Sequence, residues 1–187
     1  MKSSLGNPDF LIIGGGIFGC SIAWNLARRT SGSVLLLERR ELATATTPRA
    51  AGLIRNLNLK KGQTPLKTLT IEAISLLGEE LEETLQWHQV GGLLVAKSEA
   101  NIMHFETLER HAIEHRQKFQ WIDRTDAEEM VPWLDGSSAG KFALLPDDGF
   151  IDPYLFTQFY ARAARKHGAL LKTGIEVTAL QNSGNRI

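Results

Sequence analysis

Residues 10–19 read Phe10-Leu11-Ile12-Ile13-Gly14-Gly15-Gly16-Ile17-Phe18-Gly19, an apolar run that leads directly into a glycine-rich turn. The spacing of Gly14, Gly16 and Gly19 matches G-x-G-x-x-G, which joins a strand to a helix in dinucleotide-binding folds. Glycines let the backbone approach a pyrophosphate, and the N–H groups at the helix N-terminus favour its negative charge. We therefore predict a strand buried on both faces over Phe10–Ile13 and a helix over Ile17–Arg29.

A second apolar run, Val34–Leu37, ends at Glu38 and supports this interpretation. Glu38 follows Gly19 by 19 residues, near the spacing of about 20 at which an acidic residue contacts a ribose. Because strand, glycine turn, helix, second strand and terminal acid occur in order, we predict a dinucleotide site. The alternative is a glycine-rich turn that only packs. Cys20, inside the helix, is predicted to be a small buried side chain.

Composition excludes several classes of protein. The 187 residues contain 21 Lys plus Arg and 21 Asp plus Glu, so the net charge is zero and no broad basic field exists for nucleic acid. A hydrophobic content of 43% argues against a disordered chain. The longest apolar stretch, residues 10–20, falls short of the roughly 20 residues of a membrane helix. With one cysteine and no signal-like segment, we expect a cytoplasmic protein without a membrane span or nucleic-acid partner.

Small and hydroxyl-bearing residues dominate the segment after Glu38, and here the chain resembles a known family. It is similar to the FAD-dependent amine oxidoreductases that include glycine oxidase, sarcosine oxidase and D-amino-acid dehydrogenases. The matching segments are Gly14–Cys20, Leu37-Glu38-Arg39, Thr46–Leu53, and Asp148-Gly149-Phe150-Ile151-Asp152-Pro153.

This resemblance implies FAD as the cofactor and assigns residues to it. Members close to dimethylglycine dehydrogenase carry a histidine that binds flavin covalently just before the Ala-Ala-Gly. The present chain has Arg49 there, so non-covalent FAD is expected. The implied cofactor-binding residues are Gly14, Gly15, Gly16, Ile17, Phe18, Gly19, Glu38, Arg39, Thr46, Thr47, Ala51, Gly52, Leu53 and Val177.

The resemblance also implies a reaction, the oxidation of an amine or amino acid by hydride transfer from a substrate carbon to flavin N5. The expected substrate is a small amine, amino acid or hydroxy acid. Arg55 matches an arginine that holds the substrate carboxylate in sarcosine-oxidase-like members, and the alternative is a solvated loop arginine. No residue is assigned as a catalytic acid or base. An NAD enzyme stays open as another interpretation of the glycine motif.

The predicted fold class is α/β, a Rossmann-like FAD-binding β-α-β domain interrupted by part of an α+β substrate domain. Residues 1–58 and 153–187 are predicted to form the discontinuous, incomplete FAD-binding domain, and residues 59–152 the partial substrate-binding domain. A strand over Val177–Leu180 and a hairpin turn over Asn182–Asn185 would leave a hairpin interrupted at Ile187. We therefore expect a truncated, N-terminal part of such an enzyme. The alternative is a non-catalytic remnant, or a half that needs a C-terminal complementing chain.

Two further segments yield predictions. The acidic run of Glu79, Glu80, Glu82 and Glu83 is predicted to be a solvated face. His111 and His115 lie in an H-x-x-E-H pattern, which makes a zinc hydrolase a further alternative. A hydrolase of this kind needs a third ligand from a downstream acidic helix, and the sequence offers no strong candidate. We therefore expect no metal site.

Overall fold

The computed structural model describes residues 7–55, 57 and 63–181, and they divide into two compact units. Among these residues, the first unit takes those up to Ala51, then Leu77–Leu85, and those from Asp152 onward. The second takes those within Gly52–Leu76 and Gln86–Ile151. The predicted boundary at residue 58 lies outside the described residues, and the roles assigned to the two domains stay predictions.

Helices and strands follow one another along the described part of the chain. In chain order they are β1 (Phe10–Ile13), α1 (Ile17–Arg29), β2 (Val34–Leu37), β3 (Leu53–Ile54), α2 (Gln63–Leu81), β4 (Gly92–Ala96), α3 (Glu99–Glu114), β5 (Gln120–Ile122), α4 (Arg124–Met130), β6 (Lys141–Leu145), β7 (Gly149–Phe150), α5 (Pro153–Lys166) and β8 (Leu170–Lys172).

In the described part of the chain, the first unit contains a parallel sheet in the order β1-β2-β8. All four residues of β2 are buried, because this strand pairs on both sides. The prediction that β1 is buried on both faces is wrong. Its Phe10, Leu11 and Ile13 are 37%, 44% and 51% exposed, since among the described residues β1 pairs with β2 alone and forms a sheet edge.

Helices α1 and α5 pack together in the first unit through aromatic and small side chains. The rings of Trp24 and Tyr160 lie 5.4 Å apart between centroids, and both side chains are buried. Asp152 begins α5 as its N-cap, accepting a hydrogen bond from the backbone N–H of Leu155 at 2.9 Å. Cys20 is completely buried, and burial raises the pKa of its thiol to about 12. The prediction of an inert, packed cysteine fits this environment.

The second unit contains an antiparallel sheet in the order β4-β6-β5. Its apolar core joins this sheet to α3 and is formed by Leu57, Ala96, Phe105, Leu108, Ala112, Ala143 and Leu145. Ser98 is the N-cap of α3 and Asp123 that of α4. A short antiparallel pair, β3-β7, completes the described sheets of this unit.

The strand and the hairpin turn predicted near the end of the sequence have different outcomes. The predicted strand over Val177–Leu180 is wrong, because these residues have no regular secondary structure. The predicted hairpin turn at residues 182–185 lies outside the described residues. Within the part of the chain that the structure describes, no helix combines the length and apolarity needed to cross a bilayer.

The prediction that the whole acidic run is a solvated face is wrong for Glu80, because this residue is partly buried, with 23% of its side chain exposed. Its carboxylate accepts a hydrogen bond from the indole N–H of Trp24 at 2.8 Å and lies 3.0 Å from His167 Nε2. Arg28 adds a contact at 3.4 Å. Sequence periodicity could not show this, because the partners lie 52 to 87 residues away along the chain.

These contacts change the acidity of Glu80. Burial alone would raise the pKa of its carboxyl, but hydrogen bonds from Trp24 and His167 and the charges of His167 and Arg28 outweigh it. The pKa therefore lies below its ordinary value of 4.5. Because the folded state binds this proton less readily than the unfolded chain, the carboxylate stabilises the fold above the ordinary pKa. That stabilisation disappears as the pH falls through the lowered, folded pKa.

We predict that Glu80→Gln lowers the free energy of unfolding by about 1–2 kcal/mol at neutral pH, because a charged acceptor is lost from three contacts. Denaturant unfolding of both proteins across the acid range measures the effect, and the difference should shrink as Glu80 becomes protonated. The matched control is Glu79→Gln, an exposed neighbour that should change stability by no more than about 0.5 kcal/mol. Equal losses in the two variants, or a difference that grows in acid, would contradict the prediction.

Candidate dinucleotide site

The turn between β1 and α1 has a backbone that only glycine can adopt comfortably. Gly14 has a φ of +108°, and its N–H donates to the carbonyl of Leu37 at 2.8 Å. A Cβ on Gly19 would overlap the carbonyl oxygen of Gly14. Helix α1 thus starts in direct contact with the end of β1, which requires glycine at both positions.

The N-terminus of α1 is suited to an anion. Gly16 is its N-cap and offers no side-chain acceptor, and the first turn contains no acidic residue. The first N–H groups of a helix have no intrahelical partner and carry a partial positive charge. The N–H of Ile17 donates to Thr47 Oγ1 at 3.2 Å, which brings the loop after β2 to this end of the helix. A diphosphate bound here would meet helix N–H groups that have no intrahelical partner, and no acidic residue lies in the first turn of α1 to oppose its charge.

Glu38, directly after β2, is held next to the glycine turn. Its carboxylate accepts hydrogen bonds from the backbone N–H groups of Gly15 at 2.6 Å and Arg40 at 2.9 Å. Burial would raise the pKa of Glu38, but these donors and the charge of Arg39 lower it below its ordinary value. A carboxylate has about four lone-pair sites, so two bound donors leave capacity for ribose hydroxyls.

Two neighbouring cavities in the first unit share these residues. The larger has a volume of about 410 Å³ and lies between the glycine turn and the loop after β2. The smaller, of about 260 Å³, extends from Glu38 to the segment after β8. Both are lined by Ile13, Gly14, Glu38 and Arg39. The larger lies in the size range of small-molecule sites, and the glycine cradle fits a diphosphate, so the residues present fit a dinucleotide.

The structure brings together most of the residues predicted for the cofactor. Lining the larger cavity are Gly14, Gly16, Ile17, Phe18, Gly19, Glu38, Arg39, Thr46 and Thr47, and Val177 lines the smaller one. Gly15 lies behind the cavity, where a Cβ would collide with Leu42 and Glu38. Ala51 is exposed and lines neither cavity. The cofactor roles of these residues stay predictions.

Sequence reasoning missed several lining residues. Ala43 adopts a left-handed backbone with a φ of +59°, and its N–H donates to the carbonyl of Gly15 at 2.9 Å. Alanine rarely adopts this conformation, so the presence of alanine at residue 43 gave no indication of a left-handed turn. The hydroxyl-rich composition of the loop indicated a ligand contact but not which residues make it. The missed lining residues are Leu37, Glu41, Ala43, Thr44, Ala45, Ile175 and Glu176.

The remaining predicted residues belong to the second unit. Gly52 has a φ of +69°, and its carbonyl accepts a hydrogen bond from the N–H of Ile151 at 3.1 Å. Next to it, Leu53 pairs with Phe150 in the β3-β7 ladder. The two segments that carried the family resemblance, far apart in the chain, are therefore paired strands in space. Leu53 is 68% exposed, which leaves its side chain available to a ligand.

Arg55 follows β3 and is exposed. It shares an electrostatic environment with Lys67 and Asp148 in the same unit. Burial lowers the pKa of Lys67, the carboxylate of Asp148 opposes that change, and the charge of Arg55 adds to it. Asp148 is only 3% exposed. The surroundings of Arg55 thus contain a second cation, Lys67, which had no signal in the sequence. They also contain the buried carboxylate of Asp148, whose segment was noted only for the family resemblance.

The histidine motif of the zinc alternative forms one face of α3. His111, Glu114 and His115 each offer a ligand atom, and these atoms lie within 4.8 Å of one another. A zinc hydrolase of the H-x-x-E-H type uses its glutamate as a general base and takes a further ligand from another element. Within the described residues, this group of donors comes from a single helix, so the structure does not favour the hydrolase.

We predict that Gly19→Ala lowers the free energy of unfolding by about 1–3 kcal/mol, because the new Cβ overlaps a backbone oxygen that cannot rotate away. It should also abolish dinucleotide binding by separating α1 from the turn. Thermal unfolding and nucleotide titration measure the two effects. The control is Gly140→Ala, whose Cβ would meet the flexible tip of Ile102 at 3.1 Å and would lie in ordinary contact with the carbonyl oxygen of Ala96 at 3.7 Å. Unaltered stability and binding in Gly19→Ala would contradict the role given to this contact.

Comparison with known proteins relates this chain to a family of flavin enzymes. The family model described as FAD dependent oxidoreductase (DAO) matches residues 9–187. Human mitochondrial dimethylglycine dehydrogenase is 34% identical over 177 residues, covering 92% of this chain and 20% of the relative. One component of the anaerobic glycerol-3-phosphate dehydrogenase from Escherichia coli K12 is 30% identical over 182 residues, covering 95% of this chain and 32% of the relative.

A solved structure supports the same assignment. L-proline dehydrogenase from P. horikoshii superposes with a TM-score of 0.86 at 27% identity, covering 94% of this chain and 46% of that one. The chain therefore spans between about a fifth and a third of the length of these curated relatives. Because the family match extends over nearly all its residues and includes the glycine turn described above, the chain belongs to the family of FAD-dependent oxidoreductases.

Proposed function

We propose that this chain supplies the adenosine diphosphate half of an FAD site. The protein to which it belongs would use that site to oxidise a small amine or amino acid. The observation that carries the proposal is the glycine cradle at the start of α1, with the carboxylate of Glu38 beside it. Diphosphate oxygens would meet the first N–H groups of α1, and ribose hydroxyls would donate to Glu38.

When bound, FAD would supply the electron acceptor, taking a hydride from the carbon that bears the nitrogen and leaving an imine that water hydrolyses. The contribution of the chain itself is binding and orientation. Thr47 holds the loop after β2 against α1 through the N–H of Ile17. The non-polar Leu53 is exposed at the start of β3, which leaves it available in the segment that is expected to lie beside the flavin.

The relatives support an amine that carries a carboxylate. Dimethylglycine and L-proline, named in two of them, are both amino acids with substituted nitrogen. Arg55 would hold the carboxylate through two parallel hydrogen bonds, for which a guanidinium is well shaped. The positive charge of Lys67 nearby would add to this attraction. A hydroxylated substrate is the competing proposal, and the relation to a glycerol-3-phosphate dehydrogenase favours it.

A second candidate function is that of a half that needs a partner. The chain covers less than half of the solved dehydrogenase chain it matches, so the rest of a flavin site would have to come from additional polypeptide. In that case the chain would bind nucleotide only in complex with a complementing chain. Titration with ADP and FAD, in the presence and absence of a complementing chain, distinguishes the two candidates.

We predict that the purified chain binds ADP and FAD, and binds NAD more weakly. Glu38→Gln should weaken ADP binding by about tenfold, equivalent to about 1.4 kcal/mol, because the variant loses a charged acceptor for the ribose hydroxyls. Isothermal titration calorimetry measures ADP, and flavin fluorescence measures FAD. The matched control, Glu129→Gln, changes an exposed glutamate in the second unit and should bind like the unaltered chain.

Two results would refute this part of the proposal. One is a folded chain that binds neither ADP nor FAD, which would leave the partner-requiring half as the remaining candidate. The other is equal ADP affinity in Glu38→Gln and the unaltered chain, which would remove Glu38 from the site.

We predict that any FAD held by this chain is non-covalent. Arg49, which stands where covalent relatives have histidine, is exposed in the short turn of 3-10 helix at Thr47–Arg49, and a guanidinium does not form the flavin bond. Acid precipitation of the loaded protein should leave the yellow flavin in the supernatant. Flavin that remains in the washed pellet would contradict the prediction, and addition of FAD after precipitation controls for trapping.

A further inference from the structure

We propose that His111, Glu114 and His115 form a binding site for a divalent transition metal such as Zn²⁺ on the last turn of α3. This inference is independent of the proposed flavin chemistry, because all three donors belong to the second unit and to one helix. It differs from the hydrolase alternative in that the glutamate is a ligand and no catalysis is assigned. Two imidazoles and one carboxylate form a donor set that zinc accepts in proteins.

The helix places the three donors on one face. Residues three and four positions apart are neighbours on a helix surface, which is the relation of Glu114 and His115 to His111. The two imidazole rings lie 4.2 Å apart between centroids, and Nδ1 of His111 lies 3.8 Å from a carboxylate oxygen of Glu114. One ligand atom from each side chain lies within 4.8 Å of the others.

These separations are close to those of a metal site. Two atoms each bound about 2.1 Å from zinc can be no more than about 4.2 Å apart, so small side-chain rotations would close the set. Glu114 is free to rotate, with 73% of its side chain exposed, whereas His111 is held in place with only 18% exposed. Three protein ligands would leave the remaining coordination positions to water.

The position in the helix adds a favourable field. His115 is the C-cap of α3, where its N–H donates to the carbonyl of His111 at 3.0 Å. The C-terminus of a helix carries a partial negative charge that attracts cations within its last turn. Two cations flank the three donors in the chain. Arg110 donates to Thr107 at 3.0 Å on their N-terminal side, and Arg116 directly follows His115. Imidazole donors select transition metals over Mg²⁺ and Ca²⁺, which prefer oxygen.

The test uses the full chain without an affinity tag, treated with chelator and titrated with Zn²⁺ alone in a calorimeter. We expect one equivalent to bind and to raise the unfolding temperature, since the folded helix holds the three donors together and so binds the ion more tightly than the unfolded chain. His115→Gln should weaken binding by about tenfold or more, because loss of one of two imidazoles removes a principal ligand. The matched control is His104→Gln, which changes an exposed histidine two turns earlier on the same helix and should leave binding unchanged.

A second measurement does not depend on any variant. The absorption spectrum of the chain loaded with Co²⁺ should show bands of a site with nitrogen ligands, and Zn²⁺ should displace them. The proposal is overturned if the unaltered chain takes up no Zn²⁺ at millimolar concentration. It is equally overturned if Co²⁺ gives only the spectrum of the hydrated ion, or if His104→Gln loses as much affinity as His115→Gln.

Discussion

The close contact between Gly19 and the carbonyl of Gly14 is the constraint on which the first unit depends. Any side chain at residue 19 would push α1 away from the end of β1. With glycine there, the helix N-terminus lies at the carboxyl end of the parallel sheet. Unpaired N–H groups and the positive end of the helix dipole then meet at one point. The anion site is thus a consequence of backbone packing before any polar side chain is considered.

Glu38 connects that backbone geometry to the central strand. Because β2 is paired on both sides and fully buried, its end is held in place, and Glu38 follows it directly. The carboxylate binds the N–H of Gly15, so the residue expected to contact the ribose also fixes the turn. Ala43 adds a backbone contact to Gly15 from the following loop. The cavity walls are therefore joined through the backbone of Gly15, whose N–H donates to Glu38 and whose carbonyl accepts from Ala43, so the site is largely preformed.

Local sequence predicted the elements that follow periodicity and the site that follows a motif. The strands β1 and β2 and the helix α1 have the predicted bounds, because apolar runs and glycine positions act over a few residues. The errors arose where the outcome depends on distant partners. β1 is exposed because of its place in the sheet, and Glu80 is partly buried because Trp24, Arg28 and His167 surround it.

The same distinction applies to the second unit. The motif around Gly52 and the Asp-Gly-Phe segment were each visible in the sequence, but only folding pairs Leu53 with Phe150 as adjacent strands. Lys67, which shares the electrostatic environment of Arg55 and Asp148, had no signal in the sequence.

The sequence by itself determined the β-α-β unit, its glycine turn and the acid after β2, because these depend on residue type and short spacing. Only the tertiary structure decided which loop residues line the cavities, which glutamate of the acidic run is partly buried, and which strand segments pair. Those outcomes depend on contacts between residues far apart in the chain, and neither composition nor periodicity records such contacts.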